Sequence, residues 1–328
     1  MSLAFPSLRG ANVVSNVTIH IFQNQLNRSI IKQMKKNFCA VFVSLLIPLL
    51  CFSQNDFHFS LSPRFSVMFG ELTEILYDSD EEIISRLDWQ QKPLLCAGFQ
   101  TSLEFKNLIL TGSIDYAFPV STSYMYDYDW EDGELYSCTK HPIESTKNID
   151  ASAALAYRIK AGPKISVIPA IQFNYIYTDF EGGKGSGTRY GRNIKVYGID
   201  YKRHSYYVFT GLSVNARPHK RFDLQVDFFA APWLYQDSFD HHHGVKHPFS
   251  TKEIQTAHFT KFKAGLAGNF YFNDHCSLGL FANNLFGFPD KGKLYSDYYS
   301  DQMEYIKYQK SGANIYYIRF GTAFNLTF

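Results

Sequence analysis

The sequence predicts an all-β protein: a ten-stranded antiparallel transmembrane β-barrel with long extracellular loops. Three observations lead there. Aromatics are 17% of the 328 residues, with 30 Phe and 23 Tyr among them, yet mean hydropathy is only −0.20. Past residue 51 no apolar run reaches the length a membrane helix needs. From residue 57 on, apolar and polar residues alternate with period two. A membrane barrel buries its hydrophobicity in that alternation rather than in runs.

The first segment reads as targeting rather than fold. Lys32, Lys35 and Lys36 are basic, and Phe38 to Leu50 is an apolar stretch too short to span a bilayer. Cys51-Phe52-Ser53 follows, placing cleavage after Ser53. Met34 is the expected start of this peptide. Residues 1–53 are therefore expected to be an N-terminal extension plus signal peptide, and residues 54–328 the barrel. The first 53 residues hold five of the 32 Lys and Arg and none of the 30 Asp and Glu, so the remainder carries about −3. Nothing in that balance points to nucleic acid. Cys96, Cys138 and Cys276 remain, an odd number read as three unlinked thiols.

Ten strand segments follow, near 57–69, 93–105, 108–118, 149–159, 164–178, 205–216, 221–234, 257–272, 276–286 and 315–328. The last is the clearest. Tyr316, Ile318, Phe320, Thr322, Phe324, Leu326 and Phe328 point one way; Tyr317, Arg319, Gly321, Ala323, Asn325 and Thr327 point the other. Tight turns such as Lys106-Asn107 alternate with five long polar connections, near 70–92, 119–148, 179–204, 235–256 and 287–314. Short turns on one side and long loops on the other fit an outer-membrane barrel. Several strands exceed the ~10 residues needed to cross, so the barrel should project above the membrane. Inward Lys261, Lys263, Asp223, Asp227 and Glu104 are expected to pair and fill the lumen of so narrow a barrel.

Two loops carry candidate chemistry. One holds Tyr126-Asp127-Tyr128-Asp129-Trp130; the other holds Trp233 and then Asp237, Asp240, His241, His242 and His243. In a ten-strand ring these loops face each other across the mouth. Asp-x-Asp places two carboxylates on one side of an extended segment, where like charge raises one pKa and the pair can hold a proton or a water. Asp-x-His sets a carboxylate beside an imidazole, which it can orient and stabilise when protonated. His241 to His243 with His247 lack a fixed Cys/His spacing, so no metal site is expected. Gly182 to Gly187 lacks the order of a phosphate-binding loop and reads as a flexible connection.

In these motifs the chain resembles the omptin family of outer-membrane proteases. Asp127 and Asp129 before Trp130 match its Asp-x-Asp-Trp, and Asp240 and His242 match its catalytic Asp and His. Thr139-Lys140-His141-Pro142, Leu87-Asp88-Trp89, Gly182-Gly183 and Tyr201-Lys202 match further elements, in family order, between residues 57 and 328. The resemblance implies a cell-surface endopeptidase in which Asp240 and His242 act as a general-base dyad and Asp127 and Asp129 position the attacking water. It implies no acyl-enzyme, metal or cofactor. Glu74 matches a family Glu in the pocket for a basic side chain, with Asp237 and Ser238 the other expected substrate-binding positions.

Departures from the pattern are specific. The second pocket acid is Ser238 here, although Asp237 is adjacent, and an acid tied to the next subsite is Ser137. The family's lipid-contacting Arg on the fifth strand is missing from Gln172 to Tyr177, so dependence on lipopolysaccharide is not carried over. Expected partners are polypeptide substrates and outer-membrane lipid, with the chain a monomer. The alternative, motivated by Ser238 and Ser137, is a proteolytically inactive barrel of this kind acting as an adhesin or receptor.

Overall fold

The structure is a computed structural model and describes residues 57–118, 123–244, 248–298 and 302–328. The expected signal peptide and its boundary at residue 53 lie outside the described residues. Among the described residues every regular element is a strand.

The sixteen strands form ten staves. β1 (Phe57–Tyr77) and β2 (Ile83–Phe105) are the first two. The third is built of β3 (Leu108–Phe118) at the short-turn end and β4 (Tyr124–Glu131) at the other. β5 (Glu134–Tyr157) is the fourth; β6 (Ile159–Lys160) leads to β7 (Ile165–Gly182), the fifth. A hairpin of β8 (Gly185–Arg189) and β9 (Arg192–Val196) pairs onto the upper part of β5. β10 (Ile199–His219) and β11 (Phe222–His242) are the sixth and seventh. β12 (Phe249–Ala257) stands above β13 (Lys261–Tyr271), and β15 (Asp290–Ser296) above β14 (Cys276–Gly287). β16 (Glu304–Thr327) is the tenth and closes on β1 from Ser60↔Thr327 to Tyr77↔Lys310.

Alternation decides what each face does. Outward Phe65, Phe99, Val226, Leu280 and Phe320 are exposed on the lower half, the arrangement a lipid-facing surface requires. The inward residues fill the lumen with ion pairs. Arg64 and Arg319 both meet Asp115, and Arg319 also meets Asp150 at 3.2 Å. Glu104 pairs with Arg158 at 2.8 Å, and the fully buried Lys261 with Asp290 at 2.6 Å. Lys263 donates to Asn174, and Asp223 accepts from Asn269 and Tyr271. A polar cavity of about 360 Å³ remains among these groups. As expected, the inward charges are mostly engaged with partners. The three cysteines are free.

The structure corrects the expected boundaries. Much of the chain read as long loops continues as strand above the lipid-facing band: β1 runs on to Tyr77, β2 begins at Ile83, and β4 with the first half of β5 lies wholly in a predicted loop. Here an aromatic layer crosses the interior. The Trp89 ring stacks between Phe180, at 5.2 Å, and Tyr201, at 5.4 Å, all three sealed from solvent. Trp89 and Tyr201, two of the residues that carry the resemblance, thus meet in one buried stack.

Candidate active site

The upper end of β11 supplies the first half of the site. Its pleat turns Gln236, Ser238, Asp240 and His242 inward. The antiparallel register sets Tyr201 on β10 and Thr251 on β12 on either side of Asp240, with Phe249 beside His242. Asp240 is buried. One carboxylate oxygen accepts from the Thr251 backbone N–H at 2.9 Å and from the Thr251 hydroxyl. The other lies 2.8 Å from His242 Nε2. An ionised carboxylate only accepts, so Nε2 carries the proton and Nδ1 of the neutral ring is left as the base. The ring is held flat against Phe249, centroids 4.2 Å apart and planes within 12°. Burial disfavours the imidazolium, but the charge and hydrogen bond of Asp240 outweigh it and raise the His242 pKa above its ordinary value.

The second half comes from β4. Asp127 stands opposite Leu87 on β2 and Thr139 on β5; Asp129 stands opposite Ser85 and Ser137. The two carboxylates share one face of the strand, as their spacing predicts. Burial, then the charge of Asp129, pushes Asp127 up to about 7, and burial also raises Asp129. Both lie within electrostatic reach of His242 across the mouth. Behind Asp127, Thr139 Oγ1 lies 2.9 Å from His141 Nε2, while His141 Nδ1 donates to the Gly183 carbonyl at 3.2 Å. Burial holds His141 below its ordinary pKa, in keeping with a neutral ring.

One row beneath the dyad lies a second acidic group. Glu74 on β1 and Glu253 on β12 are both buried, and Ser238 donates to Glu253 at 3.0 Å. Burial and then the charge of Asp240 raise both, Glu74 well above its ordinary value and Glu253 to about 7.

Comparison with known proteins fits this arrangement. Residues 55–328 match the Omptin family. The chain belongs to the omptin family. Among solved structures, this omptin chain is similar to the outer membrane protease OmpT from Escherichia coli: 14% identity, TM-score 0.74, 84% of this chain and 99% of that one covered. At that identity the likeness is one of fold. The outer membrane protein OprG from Pseudomonas aeruginosa shares 7% identity over 83% of this chain and 95% of its own, with TM-score 0.36. The Pseudomonas putida toluene transporter TodX shares 8% over 84% and 91%, with TM-score 0.30. Neither adds to the argument. No curated protein sequence matches the chain. Family and fold make this a bacterial outer-membrane protein and support its being a protease.

The omptin chain brings six of the seven expected residues to the inner side of one mouth: Asp127, Asp129, Asp240, His242 and, one row down, Glu74 and Ser238. Ser238 serves there as a donor to Glu253. Asp237 is not part of the site. Odd positions of this segment face outward, and the Asp237 charge is felt by Tyr175, Tyr206 and Tyr235 on the outer surface. Expecting it in the pocket overlooked that neighbours on a strand point to opposite faces. Sequence reasoning also missed Thr251, Phe249 and Glu253. All three follow from the register of β12 on β11, which no short motif announces.

Proposed function

We propose that this omptin is a cell-surface endopeptidase that hydrolyses peptide bonds next to basic residues, with water as the nucleophile. The observation that carries the reading is the Asp240–His242 hydrogen bond of 2.8 Å at the mouth of the barrel, opposed by the carboxylate pair of Asp127 and Asp129, where burial and like charge push Asp127 up to about 7. A water between the halves gives a proton to His242 Nδ1 as its oxygen attacks the peptide carbonyl. Asp240 stabilises the imidazolium so formed. Asp127 and Asp129 orient the water, and the protonated member of the pair can donate to the carbonyl oxygen as negative charge builds there. The imidazolium then protonates the leaving amine. The products are a free carboxylate and a free amine, and no covalent intermediate forms.

The test is cleavage of a fluorogenic peptide library by the refolded barrel, with Asp127→Asn beside the wild type. Hydrolysis that clusters at Arg or Lys and is lost in Asp127→Asn supports the reading. A folded barrel that leaves every peptide intact, with or without added lipid, overturns it.

A further inference from the structure

We infer that Glu253 on β12 is the second acid of the pocket beneath the dyad, and that with Glu74 it receives the cationic side chain, Arg or Lys, of a polypeptide substrate. This rests on the proposed proteolysis and names a specificity residue for it. Ser238 and Glu253 are direct register partners across β11 and β12. A carboxyl on either strand at this level therefore reaches the same space, and the Ser238 hydroxyl, 3.0 Å from Glu253 Oε2, marks the overlap.

The hydrogen bonding around the pair is incomplete in one direction. Glu253 Oε2 accepts from Ser238 and from Gln255 Nε2 at 3.1 Å. Glu253 Oε1 and Glu74 Oε2 receive no hydrogen bond from any neighbouring donor group, though both residues are almost wholly buried; on that side the two carboxyls hydrogen-bond only to each other, through a proton held on the pair. Buried acceptors without donors are costly and uncommon. One fixed cation lies close by, Arg203, but its nitrogens are engaged elsewhere. Nε donates to the Tyr201 hydroxyl at 2.7 Å, Nη1 to the Asn314 carbonyl at 2.7 Å and Nη2 to the Thr73 carbonyl at 2.9 Å. The guanidinium screens the acids without satisfying their oxygens.

Without a ligand, burial and then the charge of Asp240 favour the protonated forms of both acids. A guanidinium or ammonium entering from the mouth supplies both the missing donors and the missing charge. A neutral side chain supplies neither and leaves the acids as they were. Placed one row below Asp240, the pocket would seat that side chain while its backbone lies at His242.

The experiment measures binding without turnover. Two reduced-bond peptides, identical except for Arg or norleucine before the reduced bond, are titrated calorimetrically into wild type, Glu253→Gln and the exchange variant Ser238→Glu/Glu253→Ser. The inference expects the Arg peptide to bind wild type about 10- to 100-fold more tightly than its norleucine twin. That ratio should collapse in Glu253→Gln and return in the exchange variant, which moves the carboxyl across the strand pair. Equal affinities in wild type, an unchanged ratio in Glu253→Gln, or a ratio that the exchange fails to restore would each overturn it. Scissile versions of the same peptides report proteolysis separately. Selective binding without cleavage would sink the proposed function and leave the pocket assignment standing.

Discussion

Asp240→Asn isolates what the dyad carboxylate contributes. The substitution keeps the shape and an acceptor for Thr251, but removes the negative charge held against His242 Nε2. A charge-assisted bond of this kind in a buried site is worth about 2–4 kcal/mol to an imidazolium. Above the His242 pKa that imidazolium forms only on the way to the transition state, so kcat/KM there should fall about 30- to 1000-fold. The sign of the pH effect is fixed as well. Burial lowers the His242 pKa and Asp240 is the principal group raising it. Without the Asp240 charge, Asp127 and Asp129 alone offset burial, and His242 becomes neutral at lower pH than in the wild type. The acid limb of the kcat/KM profile for a fluorogenic peptide should therefore move toward lower pH as its height drops. An Asp240→Asn barrel with the wild-type acid limb, or with undiminished kcat/KM, would refute the reasoning.

Three further outcomes are expected. Asp129→Asn removes a like charge from Asp127, which should then lose its proton below its present value of about 7. Infrared difference spectra should show a protonated carboxyl band that disappears at lower pH than in wild type, and no movement would contradict the paired titration. Trp89→Ala empties the layer between Phe180 and Tyr201 and should cost about 3–5 kcal/mol, read as a lower urea midpoint of barrel unfolding; an unchanged midpoint would count against that layer. Lys261→Met strands Asp290 in the interior and should cost about 3–5 kcal/mol. Adding Asp290→Leu should recover most of that loss in the same assay, and failure to recover would show that the ion pair is not the cause.

How far the sequence could be read depended on the solvent each stretch faces. Where one face meets lipid, as at Phe320 and Phe324 beside Arg319 and Ala323, the contrast is strong and strand and facing are plain. Above the lipid both faces carry polar residues, as in β4 and the first half of β5, so the hydrophobic alternation fades and strands resemble loops. Turn chemistry survives there. Asp132 and Gly133, at φ of 50° and 77°, form the tight turn joining β4 to β5, and Tyr190 with Gly191, at 48° and 70°, joins β8 to β9. Asp-Gly is a strong hairpin signal and could have revealed the first of these. Asp127 with Asp129 and Asp240 with His242 were legible because two residues apart on a strand means one face. The same parity excludes Asp237. Glu253 was beyond reach, since its pairing with Ser238 depends on the register across residues 243–248, which no local pattern sets.

The most direct test of the dyad is cleavage of one Arg-containing fluorogenic peptide by the refolded barrel, wild type against His242→Ala. With the base removed, turnover should fall to the background of the peptide alone while the barrel stays folded. Cleavage by His242→Ala at the wild-type rate would show that the chemistry lies elsewhere.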